Sequence, residues 1–288
     1  MGKLEDTLKR ITPLRKVVRA LKTLVNDDDG NPYRKHRKSL EKKDKKNASE
    51  RPELIPLHKK LQELKLAQSN LWNSYVYCDG YFYQGYRRIG INGIKPTEDR
   101  FEKYEIEKYL TSEKTVLNIG SNSGFVVCYL SEFVKEVDGI ELNPFLNEMG
   151  KTTANFLNIH NGNFNEGDFV EYDFTRTYDI IFSLSNHFTI DGNLNIGFEL
   201  YIQKIFNNLN DDGMMFFESH NVRGDDKDMD LKFEIASKYF SLIDYKMVKA
   251  FYSADIDKLF AVFKRLDKPG PAQALEFKLS SAIHKYTY

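Results

Sequence analysis

The apolar positions of this 288-residue chain fall into two rhythms that alternate through its middle and C-terminal parts. Residues 116–119, 136–142, 178–184 and 214–217 are short runs carrying Val, Ile, Leu and Phe, the pattern of buried strands. Between them, residues 125–134, 194–209 and 231–240 place apolar side chains at three- and four-residue intervals, the period of a helix with one buried face. Strands alternating with helices predict an α/β domain on a mostly parallel sheet. The turn Asn210-Asp211-Asp212-Gly213 ends the second of these helices. Two last runs, 242–252 and 258–266, flank Ser253-Ala254-Asp255-Ile256-Asp257 and predict an antiparallel hairpin at the sheet edge. From Lys268 the tail, with Pro269-Gly270-Pro271, reads as loop with a short terminal helix.

The N-terminal third has a different pattern. Leu4, Leu8, Ile11, Leu14, Val18, Leu21 and Val25 share one face of a basic amphipathic helix, kinked or split at Pro13 and closed by the turn-rich residues 26–32. Three roles fit such a helix: docking on its own domain or on a homodimer mate, peripheral attachment of residues 1–25 to an anionic membrane, or contact with nucleic acid. Residues 33–50 lack an apolar face and read as a solvated helix or flexible linker. Residues 54–72 are periodic again. Then Tyr75, Tyr77, Tyr81, Phe82, Tyr83 and Tyr86 crowd around Gly80 and Gly85, which suits stacking on a sugar ring or an unstacked base, or a lid closing a cleft. Pro96 breaks an extended segment, and Thr97 predicts an N-cap for a helix through Tyr109. The chain therefore divides into a basic helical extension (1–72), an aromatic-rich lid or substrate segment (73–110), an α/β domain (111–267) and a tail (268–288).

Charge sharpens this division. The net charge is zero, yet residues 1–60 hold 18 Lys/Arg against 9 Asp/Glu, leaving that segment at +9 and the remaining 228 residues at −9. A basic extension on an acidic globule follows. Only Cys78 and Cys128 occur; the second falls in a helical pattern as a small core residue, which argues against a disulfide framework. With no apolar stretch of spanning length and no signal-peptide pattern, a cytoplasmic location is expected, peripheral at the inner membrane face if residues 1–25 anchor it.

The chemistry concentrates at strand ends. The first run drops into Gly120-Ser121-Asn122-Ser123-Gly124 and then a helix, the strand-turn-helix unit that opens nucleotide-binding α/β domains. Glycines allow a sharp turn and close approach of a ligand, and the helix N-terminus offers N–H groups to it. The spacing is not Gly-x-Gly-x-x-Gly, so a pyrophosphate is not the expected guest. The second strand ends in Glu141, placed to grip a ribose diol. Asp168 and Phe169 close the third, where one can accept from an exocyclic amine and the other flank a base. The fourth, Tyr178-Asp179-Ile180-Ile181-Phe182-Ser183-Leu184, runs into Ser185-Asn186-His187.

Over residues 95–266 this series resembles the class I S-adenosylmethionine methyltransferase family. Asn118 stands where an acid is usual and Ser121 where a second glycine or cysteine is commoner. The resemblance implies a Rossmann-like seven-stranded sheet with an antiparallel last strand, S-adenosyl-L-methionine as cofactor, and Gly120, Ser121, Asn122, Gly124, Glu141, Asp168, Phe169 and Ser183 as cofactor residues. A narrower likeness joins Ile94-Lys95-Pro96-Thr97-Glu98-Asp99-Arg100 to the Thr-Glu-x-Arg element of the tRNA wobble-uridine carboxymethyltransferases, with Phe101 and Tyr104 in place of their tryptophans. It implies Glu98 and Arg100 as cleft residues.

Transfer of a sulfonium methyl mainly requires alignment, and a hydroxyl acceptor gains from a base. His187, with Asn186 beside it, and Glu218-Ser219-His220 end the fourth and fifth strands, where sites of open α/β sheets lie. Imidazole suits proton uptake near neutrality. We therefore expect His187 as base, His220 or Glu218 orienting it or the acceptor, and Tyr81, Tyr83, Tyr86, Glu98, Arg100 and Asn186 around the acceptor. Glu218, His220, Asp191 and His187 could also gather a metal ion, but their spacing is no metal motif, and none is expected. The expected function is O-methylation of a sugar hydroxyl in a surface polysaccharide or related glycan. The alternatives are an RNA-modifying (tRNA) methyltransferase or carboxymethyltransferase, and a non-catalytic scaffold.

Overall fold

The computed structural model describes residues 32–72, 81–187, 196–222, 228–249, 257–273, 277–282 and 286–287. The basic helix expected at 4–25, Tyr75, Tyr77, Cys78 and Asp191 lie outside them. The chain parts into residues 1–39 and 40–288, so residues 40–72 group with the α/β domain rather than with an extension. Helix α1 is Pro32–Glu50. It is neither a linker nor merely solvated, because from Leu40 onward it docks through polar groups. Asp44, 6% exposed, accepts the Tyr81 hydroxyl (2.6 Å) and both the backbone and side-chain amides of Asn92 (2.9 and 2.6 Å). Asn47 Nδ2 donates to the Gly90 carbonyl at 2.9 Å. Helix α2, Ile55–Leu71, buries Leu57, Leu61 and Gln68.

A strap follows. Its two-residue strands β1 (Gln84–Gly85) and β2 (Lys95–Pro96) pair in parallel. Helix α3 is Thr97–Tyr104, shorter than expected because Glu105 turns left-handed at φ 53° and a 3₁₀ turn takes over residues 106–109. Thr97 is the first helical residue and not its cap; its hydroxyl is buried without a hydrogen-bond partner. Phe101 stacks on Phe182 (5.8 Å, 19°) and Tyr104 on Phe260 (4.3 Å, 10°), which fixes α3 across the sheet.

The sheet contains β3 (Thr115–Ile119), β4 (Glu136–Glu141), β5 (Gly162–Glu166), β6 (Tyr178–Leu184), β7 (Leu209–Glu218), β8 (Phe240–Val248), β9 (Lys258–Arg265) and β10 (Tyr286–Thr287). Their order is β10-β8-β9-β7-β6-β3-β4-β5. β3 to β7 run parallel, and β9 lies antiparallel between β7 and β8. This is the expected Rossmann-like seven-stranded sheet, lengthened by β10. The hairpin forms as expected, but β9 inserts inward beside β7, with β8 outside it and the short β10 at the edge. β6 lies between neighbours on both sides and has both faces covered, hence its unbroken run of buried Ile180, Ile181, Phe182 and Ser183. Where a turn is expected at 210–213, Asp212 has φ 60° and the β6–β7 register jumps from Tyr178↔Leu209 to Ile180↔Met214.

The crossover helices are α4 (Phe125–Leu130), α5 (Pro144–Phe156), α6 (Phe198–Asn207) and α7 (Met229–Ala236), with α8 (Leu279–Ala282) in the tail. Every residue of α4 is buried; Cys128 is a core residue whose thiol burial pushes up to about 12. The tail docks rather than trailing: Phe277 stacks on Phe233 at 3.8 Å, and the Leu279 amide donates to Asp230 (2.7 Å).

Candidate functional site

Strand order reverses at β3, and the crevice beyond the ends of β3, β4 and β6 is where ligands sit in such sheets. The loop there alternates left-handed residues: Gly120 at φ 59°, Asn122 at 53° and Gly124 at 72°. The glycines serve different ends. Gly120 is exposed at the crevice, and a Cβ on it would come within 2.5 Å of the Asn186 amide oxygen. Asn186 donates to the Ile119 carbonyl and so bridges β6 to β3 at the reversal. At Gly124 a Cβ would lie 2.6 Å from both Gly150 Cα and Phe164 Cε1, so this glycine permits helix packing and not ligand approach. Ser121 is fully buried with its side chain over Gly139, and its backbone N–H and C=O are spent on Ile140 and on Gly124 and Gln84, so it holds the loop and does not face a ligand.

The first amides of α4 are not offered to a ligand as expected. Gln84 of β1, 4% exposed, accepts from the Phe125 and Val126 amides (3.0 and 3.4 Å) and donates to the Ser121 carbonyl (3.0 Å). A single glutamine in an aromatic stretch gave no signal of this. On the opposite side of the loop, Glu141 accepts from the Asn122 amide (2.8 Å) and the Asn143 amide (2.9 Å), which turns its carboxylate toward the loop. Leu142 follows it, 36% exposed, an apolar surface beside the acid that the alternation of β4 could have flagged. Asp168 holds the turn after β5 by accepting from the Val170 amide (2.8 Å). Phe169 is largely core, 5.4 Å from Tyr201 edge to face. Ser183 corrects an expectation: it is fully buried, its hydroxyl bonded to Tyr201 at 2.8 Å, and it supports the sheet instead of a cofactor.

At the ends of β6 and β7 lies a buried ionic cluster. Arg100 approaches Glu218 Oε2 through Nε (2.8 Å) and Nη2 (2.7 Å), both residues at most 2% exposed. Tyr104 donates to the same oxygen, and Ser185 donates to Oε1 at 2.5 Å. Burial opposes ionisation of Glu218, but Arg100, Lys258, Lys95 and the Ser185 bond outweigh it and hold the carboxyl down at about 2. Such a group is no proton acceptor at neutral pH, nor does it orient His187; its partners are Arg100, Tyr104 and Ser185. Lys258 Nζ donates to the His220 carbonyl (2.8 Å).

His187 sits just past β6, half-buried, with its ring 5.1 Å from Phe217 and 5.2 Å from Phe198. The tyrosines separate by role. Tyr81 spends its hydroxyl on Asp44, and Tyr86, 1% exposed, donates to Glu132 at 2.5 Å, so neither presents a hydroxyl to an acceptor as expected. Tyr81 and Tyr83 line a narrow cavity with Lys65 and Gln68 of α2, Asn122 and Ser123 of the loop, and Met149 of α5. Glu98 accepts from the Arg87 amide (2.7 Å), and burial raises its carboxyl above the ordinary range. Glu98 thus bonds to the strap, whereas Arg100 two residues on meets Glu218 at the end of β7.

No protein-family model matches the sequence, and no curated protein matches it. Among solved structures the fold is similar to the N-methyltransferase NodS of Bradyrhizobium japonicum, at 14% identity over 59% of this chain and 96% of that one, with a TM-score of 0.48. The complex of NodS with S-adenosyl-L-homocysteine matches at 16% identity over 60% and 89%, with a TM-score of 0.47. A TehB-like SAM-dependent methyltransferase of Corynebacterium glutamicum matches at 22% identity over 57% and 87%, with a TM-score of 0.43.

Proposed function

We propose that this chain is an S-adenosylmethionine-dependent methyltransferase acting on a hydroxyl of a glycan-type acceptor. The observation that carries the reading is Glu141, a carboxylate at the end of β4 bonded to the amide of left-handed Asn122 in the loop beside it. A carboxylate there accepts both hydroxyls of a ribose and repels a phosphate on either. Exposed Leu142 gives an adenine ring an apolar face, Asp168 lies at the next strand end, and Gly120 leaves backbone open to close approach. The residues present fit that nucleoside.

When bound, S-adenosylmethionine supplies a methyl group activated by its sulfonium. The chain's own work is positioning and proton transfer. His187, between Phe198 and Phe217, takes the acceptor's hydroxyl proton. Arg100 and Glu218 tie α3 to the end of β7. Tyr83 and the acidic balance outside residues 1–60 suit a neutral, ring-shaped acceptor. Titration calorimetry with S-adenosyl-L-homocysteine tests the cofactor; no heat at millimolar ligand would sink the reading and leave the scaffold alternative. Labelled methyl transfer to glycan and RNA fractions side by side tests the acceptor.

RNA is the second reading, favoured by Lys42, Lys43, Lys45 and Lys46, all exposed on α1. Steep weakening of RNA binding with added salt would support it.

A further inference from the structure

We propose that Gln84 is a positioning residue for the cofactor loop, and that helix α1 sets its position through Asp44. This rests on the methyltransferase reading of the site and adds a control on it from outside the α/β core.

The loop cannot hold its shape alone. Three of its five residues, Gly120, Asn122 and Gly124, are left-handed, and Asn122 is a non-glycine there. Its internal backbone bond is Gly124 to Ser121 (3.0 Å), and Ser121 donates to the Ile140 carbonyl of β4 (2.9 Å). Gln84 supplies what is missing from one buried amide. Its Oε1 accepts from the Phe125 and Val126 amides, with Ser123 Oγ at 3.5 Å, and its Nε2 donates to the Ser121 carbonyl. Both ends of the turn are thereby tied to one side chain. Asn122, whose amide faces Glu141, lies between the two tied points.

Gln84 is itself held by the strap. A Cβ on Gly85 would fall 1.7 Å from the Asn92 carbonyl oxygen, so β1 and the turn at 92–93 are in direct contact and move together. Asp44 of α1 grips that turn by accepting from Asn92 twice, and grips the strap's start through Tyr81, whose hydroxyl also takes the Gly93 amide at 3.3 Å. A chain of contacts therefore runs from α1 to the loop: hydrogen bonds join Asp44 to Asn92, the Asn92 carbonyl packs directly on Gly85, and hydrogen bonds join Gln84 to Ser121, Phe125 and Val126. Loss of the Asp44 grip frees Gln84, and the loop then presents Asn122 to Glu141 for only part of the time. Cofactor affinity falls by that fraction.

The experiment uses the full chain and the variants Gln84→Ala, Gln84→Glu and Asp44→Asn. Amide hydrogen exchange of residues 121–126 is followed without ligand, and S-adenosyl-L-homocysteine affinity by calorimetry. Gln84→Ala should speed exchange at 125 and 126 and weaken binding about tenfold, the loss of one or two buried hydrogen bonds. Gln84→Glu keeps the acceptor, so slow exchange at 125 and 126 should return. Asp44→Asn should weaken binding less than Gln84→Ala, and the double variant no more than Gln84→Ala. Wild-type exchange and affinity in Gln84→Ala overturn the proposal, as does full additivity of the two sites. If the wild-type chain binds no S-adenosyl-L-homocysteine, the functional reading fails, while ligand-free exchange still decides whether Gln84 holds the loop. A variant that melts early is judged on Gln84→Glu, which keeps size and acceptor.

Discussion

Arg100 and Glu218, 118 positions apart, close a buried ion pair that ties helix α3 to the end of β7. Removing one partner leaves the other charge buried alone, at a cost of about 3–5 kcal/mol. Arg100→Met should therefore destabilise far more than the double variant Arg100→Met/Glu218→Leu, as urea unfolding of the three proteins would measure. The pH dependence has a definite sign. The Glu218 carboxyl is held at about 2 when folded, below the roughly 4.3 of a free glutamate, so its contribution is complete above the unfolded value. It is lost as pH falls from about 4 toward 2. In Glu218→Gln that acid-dependent loss should shrink.

Tyr81 belongs to the α1 dock. Tyr81→Phe deletes one donor to a buried carboxylate, with an expected cost of about 1–3 kcal/mol. Thermal melting should show the loss, and the affinity of acceptor fractions for the folded protein should stay as in the parent. A tyrosine in contact with substrate would give the reverse, a stable protein with poor acceptor binding.

Those two examples mark how far the sequence can be read. Strands such as β6 were legible because a buried parallel strand writes its environment into consecutive residues. Glu141 was legible because chain spacing alone puts it at a strand end near the loop. Gln84, Asp44 and Arg100 act through partners 37 to 118 positions away, and each looks locally like a polar residue on a solvated face. The hydroxyls of Tyr81 and Tyr86 go to Asp44 and Glu132 for the same reason: a hydroxyl's partner is a tertiary fact, absent from composition. β10 was missed because two residues carry no periodicity. Residues 33–50 form the helix, one of their two readings, and not the linker; its docking was not legible because it docks by hydrogen bonds, which leave no apolar stripe.

Gly124 separates packing from ligand contact. Gly124→Ala forces a Cβ into a left-handed residue, costing about 1–2 kcal/mol, and against Gly150 and Phe164, costing about 1–3 kcal/mol more. Stability should drop accordingly in denaturant unfolding. Gly120→Ala meets the Asn186 side chain at the crevice instead, so its larger effect should fall on cofactor affinity.

Glu141 and His187 should divide binding from chemistry. Glu141 accepts from two backbone amides and, in the proposed complex, from the ribose, so Glu141→Ala should weaken S-adenosyl-L-homocysteine by about tenfold or more. An unchanged dissociation constant by calorimetry would remove Glu141 from the ribose site. His187 packs on Phe198 and Phe217, whereas the loop bonds of Asn122 and Gln84 go to Glu141, Ser121, Phe125 and Val126. His187→Ala should therefore leave cofactor affinity in place and lower labelled methyl transfer by roughly 10²–10⁴, the range for a lost general base. Full transfer in that variant would show that the acceptor sheds its proton without this imidazole. Loss of affinity together with transfer would instead make the ring a support for the crevice, held through its two phenylalanine neighbours.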